Sequence, residues 1–168
     1  MNLSLTKFSF AFTLVELLVV VSISTIFLTM GFSAYRKTQD RQAIHNAIKN
    51  VETILRSIQK KAVIGDKDCE GPFLYYKVVI TANSNTITSQ AICRDSQGET
   101  QTYHLNNATF IDGCTIHFYP LQGGLNLISP QQSSFNLHLQ LNGNDSLTAS
   151  LKIAEPGTII TNSTTSNQ

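Results

Sequence analysis

The sequence predicts an α+β protein in which one long N-terminal helix packs on an antiparallel β-sheet domain. Residues 12–64 contain no proline and a single glycine, Gly31, so a continuous helix of roughly 75–80 Å is allowed at 1.5 Å per residue. Beyond Gly71, runs rich in β-branched and aromatic residues alternate with turn-forming residues, which is typical of short strands. One helix followed by several strands favours an arrangement in which the helix covers a face of the sheet.

The first part of the predicted helix, residues 12–35, is an apolar run. It is long enough to cross a bilayer, which requires about 20 apolar residues, and we expect it to form a transmembrane and assembly helix. Ahead of the terminal Tyr35, its only ionisable side chain is that of Glu16. A charge near the centre of a membrane helix costs roughly 2.5–3.5 kcal/mol on insertion scales. Glu16 is therefore a candidate functional residue, and an amine is its natural partner.

The second part of the helix, residues 36–64, is amphipathic. Its apolar side chains recur at steps of four and three residues, which places them on one stripe. The stripe consists of Ile44, Ile48, Val51, Leu55, Ile58 and Ala62. We favour an ordinary core face over a separate partner-binding face, and we expect the helix to end at Gly65, where a left-handed cap is easily formed.

The β domain is predicted over residues 65–156. Residues 73–81 and 86–93 read as a hairpin joined by Asn83-Ser84-Asn85. Further strands are predicted at residues 101–105, 114–119, 125–128, 134–141 and 147–153, with Gly123-Gly124 among the turns between them. Alternating polar and apolar residues over 135–141 indicate one buried face and one solvated face, which favours antiparallel pairing. For residues 157–168, rich in Thr, Ser and Asn, we expect a flexible tail.

A short polar segment, residues 1–11, precedes the apolar run and ends in the small residue Ala11. A secretory signal has its cleavage site after the apolar region, so a cut at Ala11 would leave the run in the mature chain. The stretch from Ala11 to Glu16 resembles the prepilin cleavage and methylation motif of type IV pilins and type II secretion pseudopilins. The resemblance implies cleavage between Ala11 and Phe12, N-methylation of Phe12 and a role for Glu16 in assembly. Ala11 replaces the usual glycine before the cut.

The resemblance also implies a function: a minor pilin or pseudopilin that is assembled into a type IV pilus or a type II secretion pseudopilus. The implied partners are a prepilin peptidase, other pilin or pseudopilin subunits, an inner-membrane assembly platform and membrane lipid. The chain would be a single-pass protein of the inner membrane with its C-terminal domain outside the cytoplasm. The positive-inside rule, applied to Arg36, Lys37 and Arg41, favours the reverse orientation, but the specific motif has more weight. A short pattern over residues 118–124 looks like the H-type pseudopilins.

A tip or binding module of the same filament, recognising substrate, surface or DNA, is the alternative function, and a monomeric membrane-anchored sensor is a third. Removal of residues 1–11, which include Lys7, would leave eleven basic and eleven acidic residues. A chain without net charge does not attract nucleic acid. Some relatives bind DNA through basic residues near the end of the chain, whereas no Lys or Arg follows Lys152 here. We therefore expect no nucleic-acid partner.

The three cysteines, Cys69, Cys93 and Cys114, all follow the helix. An odd number in an oxidising compartment predicts one disulfide and one free thiol, and spacing alone leaves the pairing open. We favour a disulfide between Cys69 and Cys93. A zinc site that combines the cysteines with His117 is disfavoured, because no two cysteines have the close spacing of structural zinc ligands.

Neither a catalytic site nor a cofactor is predicted. The four histidines are scattered, and no serine or cysteine nucleophile lies in a recognised motif. Asp66, Asp68 and Glu70 alternate in a loop and could bind calcium, but the EF-hand pattern is absent and a solvated loop is the favoured interpretation.

Overall fold

The computed structural model of the chain describes residues 13–120, 125–129, 133–154 and 158–162. The predicted leader over residues 1–11, the cleavage site at Ala11 and Phe12, and the turn at Gly123-Gly124 lie outside these residues. The chain divides into two compact units, one that ends at Gln39 and one that spans Asp40–Gln168.

The described residues form one α-helix, α1, which extends over Leu14–Ile64 and contains 51 residues, as the absence of proline predicts. The helix ends at the predicted residue, because Gly65 adopts a left-handed conformation with φ of 69°. The N–H of Gly65 donates to the carbonyl of Ala62 at 3.2 Å, and the N–H of Asp66 donates to that of Lys61 at 3.0 Å. These two bonds form a Schellman motif, which satisfies the last carbonyls of the helix.

Nine strands follow within the described residues: β1 (Phe73–Ile80), β2 (Thr86–Cys93), β3 (Gln101–His104), β4 (Ala108–Phe110), β5 (Cys114–Phe118), β6 (Leu125–Ser129), β7 (Ser134–Leu141), β8 (Asn144–Ala154) and β9 (Thr158–Asn162). They form two antiparallel sheets in place of one. The five-stranded sheet has the order β3-β2-β1-β5-β6, and the four-stranded sheet has the order β4-β7-β8-β9. The α+β fold class is confirmed, and so is the β1–β2 hairpin, in which Ile80 pairs with Ile87.

The expectation of a flexible tail over residues 157–168 does not hold for β9. This strand pairs with β8 over Thr158–Asn162, and its Ile159 is buried. The guanidinium of Arg56 on α1 donates to the carbonyl of Ile159 at 3.1 Å and is itself paired with Glu52 at 2.8 Å. Buried apolar contact and pairing with a neighbouring strand therefore outweigh a local composition that resembles a linker.

The hydrophobic core of the unit Asp40–Gln168 combines the predicted stripe of α1 with the inward side chains of both sheets. All six stripe residues are at most 1% exposed, and Val78, Ile116 and Phe118 of the first sheet and Leu137, Leu139 and Leu151 of the second are equally buried. The stripe is thus a core face, as predicted. Because one helix face joins two sheets that share no strand pairing, the stability of this unit depends on that face.

We expect Leu55→Ala to lower the free energy of unfolding by about 2–5 kcal/mol, because it removes a fully buried side chain and leaves a cavity. Lys60→Ala, on the exposed face of the same helix, is the matched control and should change stability by at most about 0.5 kcal/mol. Urea unfolding of the full chain in detergent, followed by circular dichroism, measures both values. Equal effects of the two substitutions would contradict the core role of the stripe.

Candidate functional site

The carboxylate of Glu16 lies in the first turn of α1. Thr13 precedes the helix as its N-cap: its hydroxyl accepts a hydrogen bond from the N–H of Glu16 at 3.3 Å, and its carbonyl accepts from the N–H of Leu17 at 3.2 Å. A threonine N-cap with a glutamate three residues later is a capping-box sequence. Glu16 therefore lies at the positive end of the helix dipole, where a negative charge is favourable.

Large apolar side chains surround Glu16 along the helix. From Leu14 to Leu28 they are 48–80% exposed, and Phe32 is 61% exposed. Over this stretch the apolar residues cover every face of the helix, in contrast to the single stripe beyond Asp40. Contiguous apolar surface of this extent is rare on a soluble monomer and marks a site of contact with protein or lipid.

The hydroxyl side chains within this apolar stretch are bonded to the helix itself. Ser22, Ser24, Thr25 and Thr29 each donate to a carbonyl three or four residues earlier, at distances of 2.7–3.0 Å. Their polarity is thereby satisfied without an external partner. Within the part of the chain that the structure describes, no helix has the combined length and mean hydropathy expected of a membrane span.

A disulfide joins Cys69, in the loop after α1, to Cys93 at the end of β2. This is the pairing that the sequence analysis favours. Other bonds between the same two segments hold the loop in place: the N–H of Glu70 donates to the Ser96 hydroxyl at 2.8 Å, and the N–H of Glu99 donates to the Asp68 carboxylate at 3.0 Å. Asp68 is thus engaged by the backbone. Among the described residues, no group of three or more His, Cys, Asp or Glu side chains is arranged to hold a metal ion.

The third cysteine, Cys114, is a free thiol that is buried on β5. Burial, and to a smaller extent the nearby charge of Asp112, raises the pKa of this thiol to about 12. A thiol that is neither ionised nor accessible is a poor nucleophile and a poor metal ligand. His117 lies three residues further along the same strand and therefore on its opposite face, so the two side chains cannot share a zinc ion.

His117 belongs to an aromatic cluster on the outward face of the first sheet, which the sequence analysis does not identify. Its ring stacks on that of Tyr75 with centroids 4.1 Å apart, and Tyr119 packs against both rings. Burial lowers the pKa of His117, and the positive charge of Lys77, its register partner on β1, lowers it further. The sequence signal for the cluster is weak: Tyr75 on β1 and the residues His117 and Tyr119, two positions apart at the end of β5, become neighbours only when β1 and β5 are known to pair.

The described residues thus define a class: an α+β protein whose long helix begins with an acidic residue among exposed apolar side chains. The protein-family model of the prokaryotic N-terminal methylation motif matches residues 7–32 of the chain. The chain carries the prepilin leader of type IV pilins and pseudopilins, as the resemblance implies. Proteins with this leader are structural subunits, processed by a prepilin peptidase and assembled with other subunits. No curated protein and no solved structure matches the chain.

We expect one reactive thiol per chain after unfolding in guanidinium without reductant, and three after reduction, because only Cys114 is free among the three cysteines. In the folded protein at about pH 8, Cys114 should react at least about 100-fold more slowly than free cysteine, since its thiol is buried and protonated. A colorimetric thiol assay with a disulfide reagent measures both quantities. Three reactive thiols in the unreduced, unfolded chain would rule out the disulfide.

The lowered pKa of His117 predicts that the folding stability of the protein depends on pH. Below a pH of about 6.5 the unfolded chain protonates this imidazole more readily than the folded protein does, so stability is lost as the pH falls. Between about pH 7.5 and about pH 5, the Tm of the wild type should therefore fall further than that of His117→Phe, which keeps the stacked ring but does not titrate. Lys77→Gln should reduce the difference. Parallel Tm curves for wild type and His117→Phe would contradict this assignment.

Proposed function

We propose that the chain is a minor pilin or pseudopilin: a structural subunit of a type II secretion pseudopilus or a type IV pilus, assembled through its N-terminal helix after cleavage between Ala11 and Phe12. The observation that carries this proposal is the exposed apolar surface of Leu14 to Leu28 and Phe32, which lies within the matched methylation motif. A helix that is apolar all round is stable only inside lipid or inside a bundle of similar helices. A filament subunit uses both environments in turn.

In this proposal, residues 12–35 hold the subunit in the inner membrane as a single span before assembly, with the β domain outside the cytoplasm. The internal hydrogen bonds of Ser22, Ser24, Thr25 and Thr29 support the span, because lipid offers hydroxyl groups no other partner. The Cys69–Cys93 disulfide supports the orientation, because such bonds persist in oxidising compartments such as the periplasm. The assembly platform would then draw the helix from the lipid into the growing filament.

In this proposal, Glu16 favours the filament-bound state of the helix over its state in the membrane. In lipid its carboxylate lacks water, and a buried charge is destabilising until it is paired. Cleavage before Phe12 creates an amine, and we propose that the Phe12 amine of a neighbouring subunit pairs with Glu16 through a charge-assisted hydrogen bond. Phe12 and Glu16 are four residues apart, so a pair within one chain is the alternative. The bundle would satisfy both charges and cover the apolar side chains together.

A finer assignment within this class is also a proposal. The pattern over residues 118–124 is similar to that of the H-type pseudopilins, although residues 121–124 lie outside the described part of the chain. The alternative role on the same scaffold is a tip or binding module that recognises substrate or surface. DNA is the weakest of these ligands, because no Lys or Arg follows Lys152.

We expect Glu16→Gln to abolish co-assembly with the other subunits and to leave membrane insertion and leader cleavage intact, because it removes the charge and keeps the shape of the side chain. Shearing and immunoblotting of filaments measure assembly, and mass spectrometry of the purified chain should find a methylated Phe12 at its N-terminus. Glu70→Gln, in the exposed loop after α1, is the control that removes one charge elsewhere and should assemble normally. Normal incorporation of Glu16→Gln, or an uncut chain that functions on its own, would refute the proposal.

A further inference from the structure

A cavity of about 370 Å³ opens between α1 and the loop that joins β3 to β4. Its floor is apolar and small, formed by Ala43 and Ala47 of the helix and Leu105 of the loop. Its walls are carboxamides: Asn46 and Asn50 lie one turn apart on the helix, and Asn106 and Asn107 lie on the loop. The volume is within the range of small-molecule sites, about 300–1,000 Å³.

The four carboxamide side chains are available to a ligand. Within the described residues, none of them forms a hydrogen bond with another part of the protein. Each carboxamide offers two N–H donors and a carbonyl oxygen that accepts. The cavity lining therefore presents donors and acceptors from both the helix and the loop, and it contains no ionisable side chain.

The loop wall is held in place by its backbone. The N–H of Leu105 donates to the carbonyl of Asn85 at 2.8 Å, and the carbonyl of Asn107 accepts from the N–H of Asn142 at 2.9 Å. The Asn85 side chain also donates to the carbonyl of Leu105 at 3.2 Å. Asn107 has φ of 61°, a left-handed conformation that asparagine tolerates better than most residues. The wall is thus formed before any ligand arrives.

We propose that this cavity binds a neutral saccharide unit. Each sugar hydroxyl both donates and accepts a hydrogen bond, which matches carboxamides on two walls, and the C–H face of a sugar ring can lie on the small apolar floor. A charged ligand would lose hydration without meeting an opposite charge.

A protein partner fits this cavity less well than a sugar. An extended peptide binds through open main-chain groups at a sheet edge, whereas main-chain groups of this loop are already bonded to Asn85 and Asn142. An amphipathic helix requires a longer apolar groove than two alanines and a leucine provide. The inference does not rest on filament assembly, so either proposal can fail alone.

The test is nuclear magnetic resonance of the full ¹⁵N-labelled chain in a zwitterionic, sugar-free detergent. Four probes are compared: maltotriose, triacetylchitotriose, the anionic trigalacturonate, and the neutral peptide acetyl-Ala-Asn-Ala-amide. We expect at least one neutral trisaccharide to shift the side-chain amide signals of Asn46, Asn50, Asn106 and Asn107 saturably, with a Kd on the order of 1 mM. Trigalacturonate should bind at least about tenfold more weakly.

Two variants locate the binding. Asn50→Asp places a charge in the neutral cavity at nearly constant shape, and Ala43→Leu fills the floor; each should weaken saccharide binding at least about tenfold. Asn136→Asp, on the exposed face of β7, adds the same charge elsewhere and should bind like the wild type. Asn50 is exposed, so its variant remains informative if Ala43→Leu fails to fold.

Three outcomes would overturn the proposal. The first is that neither neutral trisaccharide shifts the four amide signals at about 10 mM. The second is that Asn50→Asp and Asn136→Asp bind the sugar equally, because binding would then lie elsewhere. The third is that only the peptide shifts these signals, which would assign the cavity to a protein partner.

Discussion

The burial of one face of α1 is the constraint on which the rest of the described structure depends. Among the described strands, no pairing links the two sheets, and the side chains of the helix stripe belong to the same hydrophobic cluster as the inward residues of both sheets. Without that face, each sheet would expose an apolar surface to water. The disulfide and the Arg56–Ile159 hydrogen bond add local connections, but the area they involve is small. The sheets therefore depend on a helix whose earlier residues carry the methylation motif.

One helix can carry both an exposed apolar segment and a buried core face, because its backbone satisfies its own hydrogen bonds. The N-cap at Thr13 and the Schellman motif at Gly65 complete that ladder at its two ends. The environment in which each part of the helix is stable then depends on its side chains alone. Between Leu14 and Phe32 apolar side chains lie on every side, whereas from Ile44 to Ala62 the fully buried side chains form one stripe and most of the others are polar. The change occurs without a break in secondary structure, so the sequence can assign two environments to one element.

Much of the fold could be predicted because its signals are local. The stripe from Ile44 to Ala62 follows the helical period, and Gly65 marks the helix end. A lone Glu16 in an apolar run can be recognised from the sequence alone. The division into two sheets was not predictable, because it results from the pairing of β1 with β5 and of β4 with β7. β4 has three residues, too few for a pattern, and β9 was missed because Thr158–Asn162 has the composition of a linker. Long-range pairing decides all three features.

The cavity was not predictable either, because its lining residues on α1 and on the β3–β4 loop are far apart in the sequence. Asn46 and Asn50 lie on the exposed side of α1, and Asn107 lies in the loop between β3 and β4; only the fold brings the helix and the loop together. Ile44 and Ile48 are fully buried in the core, while Ala43 and Ala47, one position earlier on the same turns, contact the core and also line the cavity. Successive helical residues are rotated by about 100°, so the same eight residues build a core face and a cavity wall side by side. Because the walls use side chains that the core does not, their chemistry can change while the packing of the sheets is maintained.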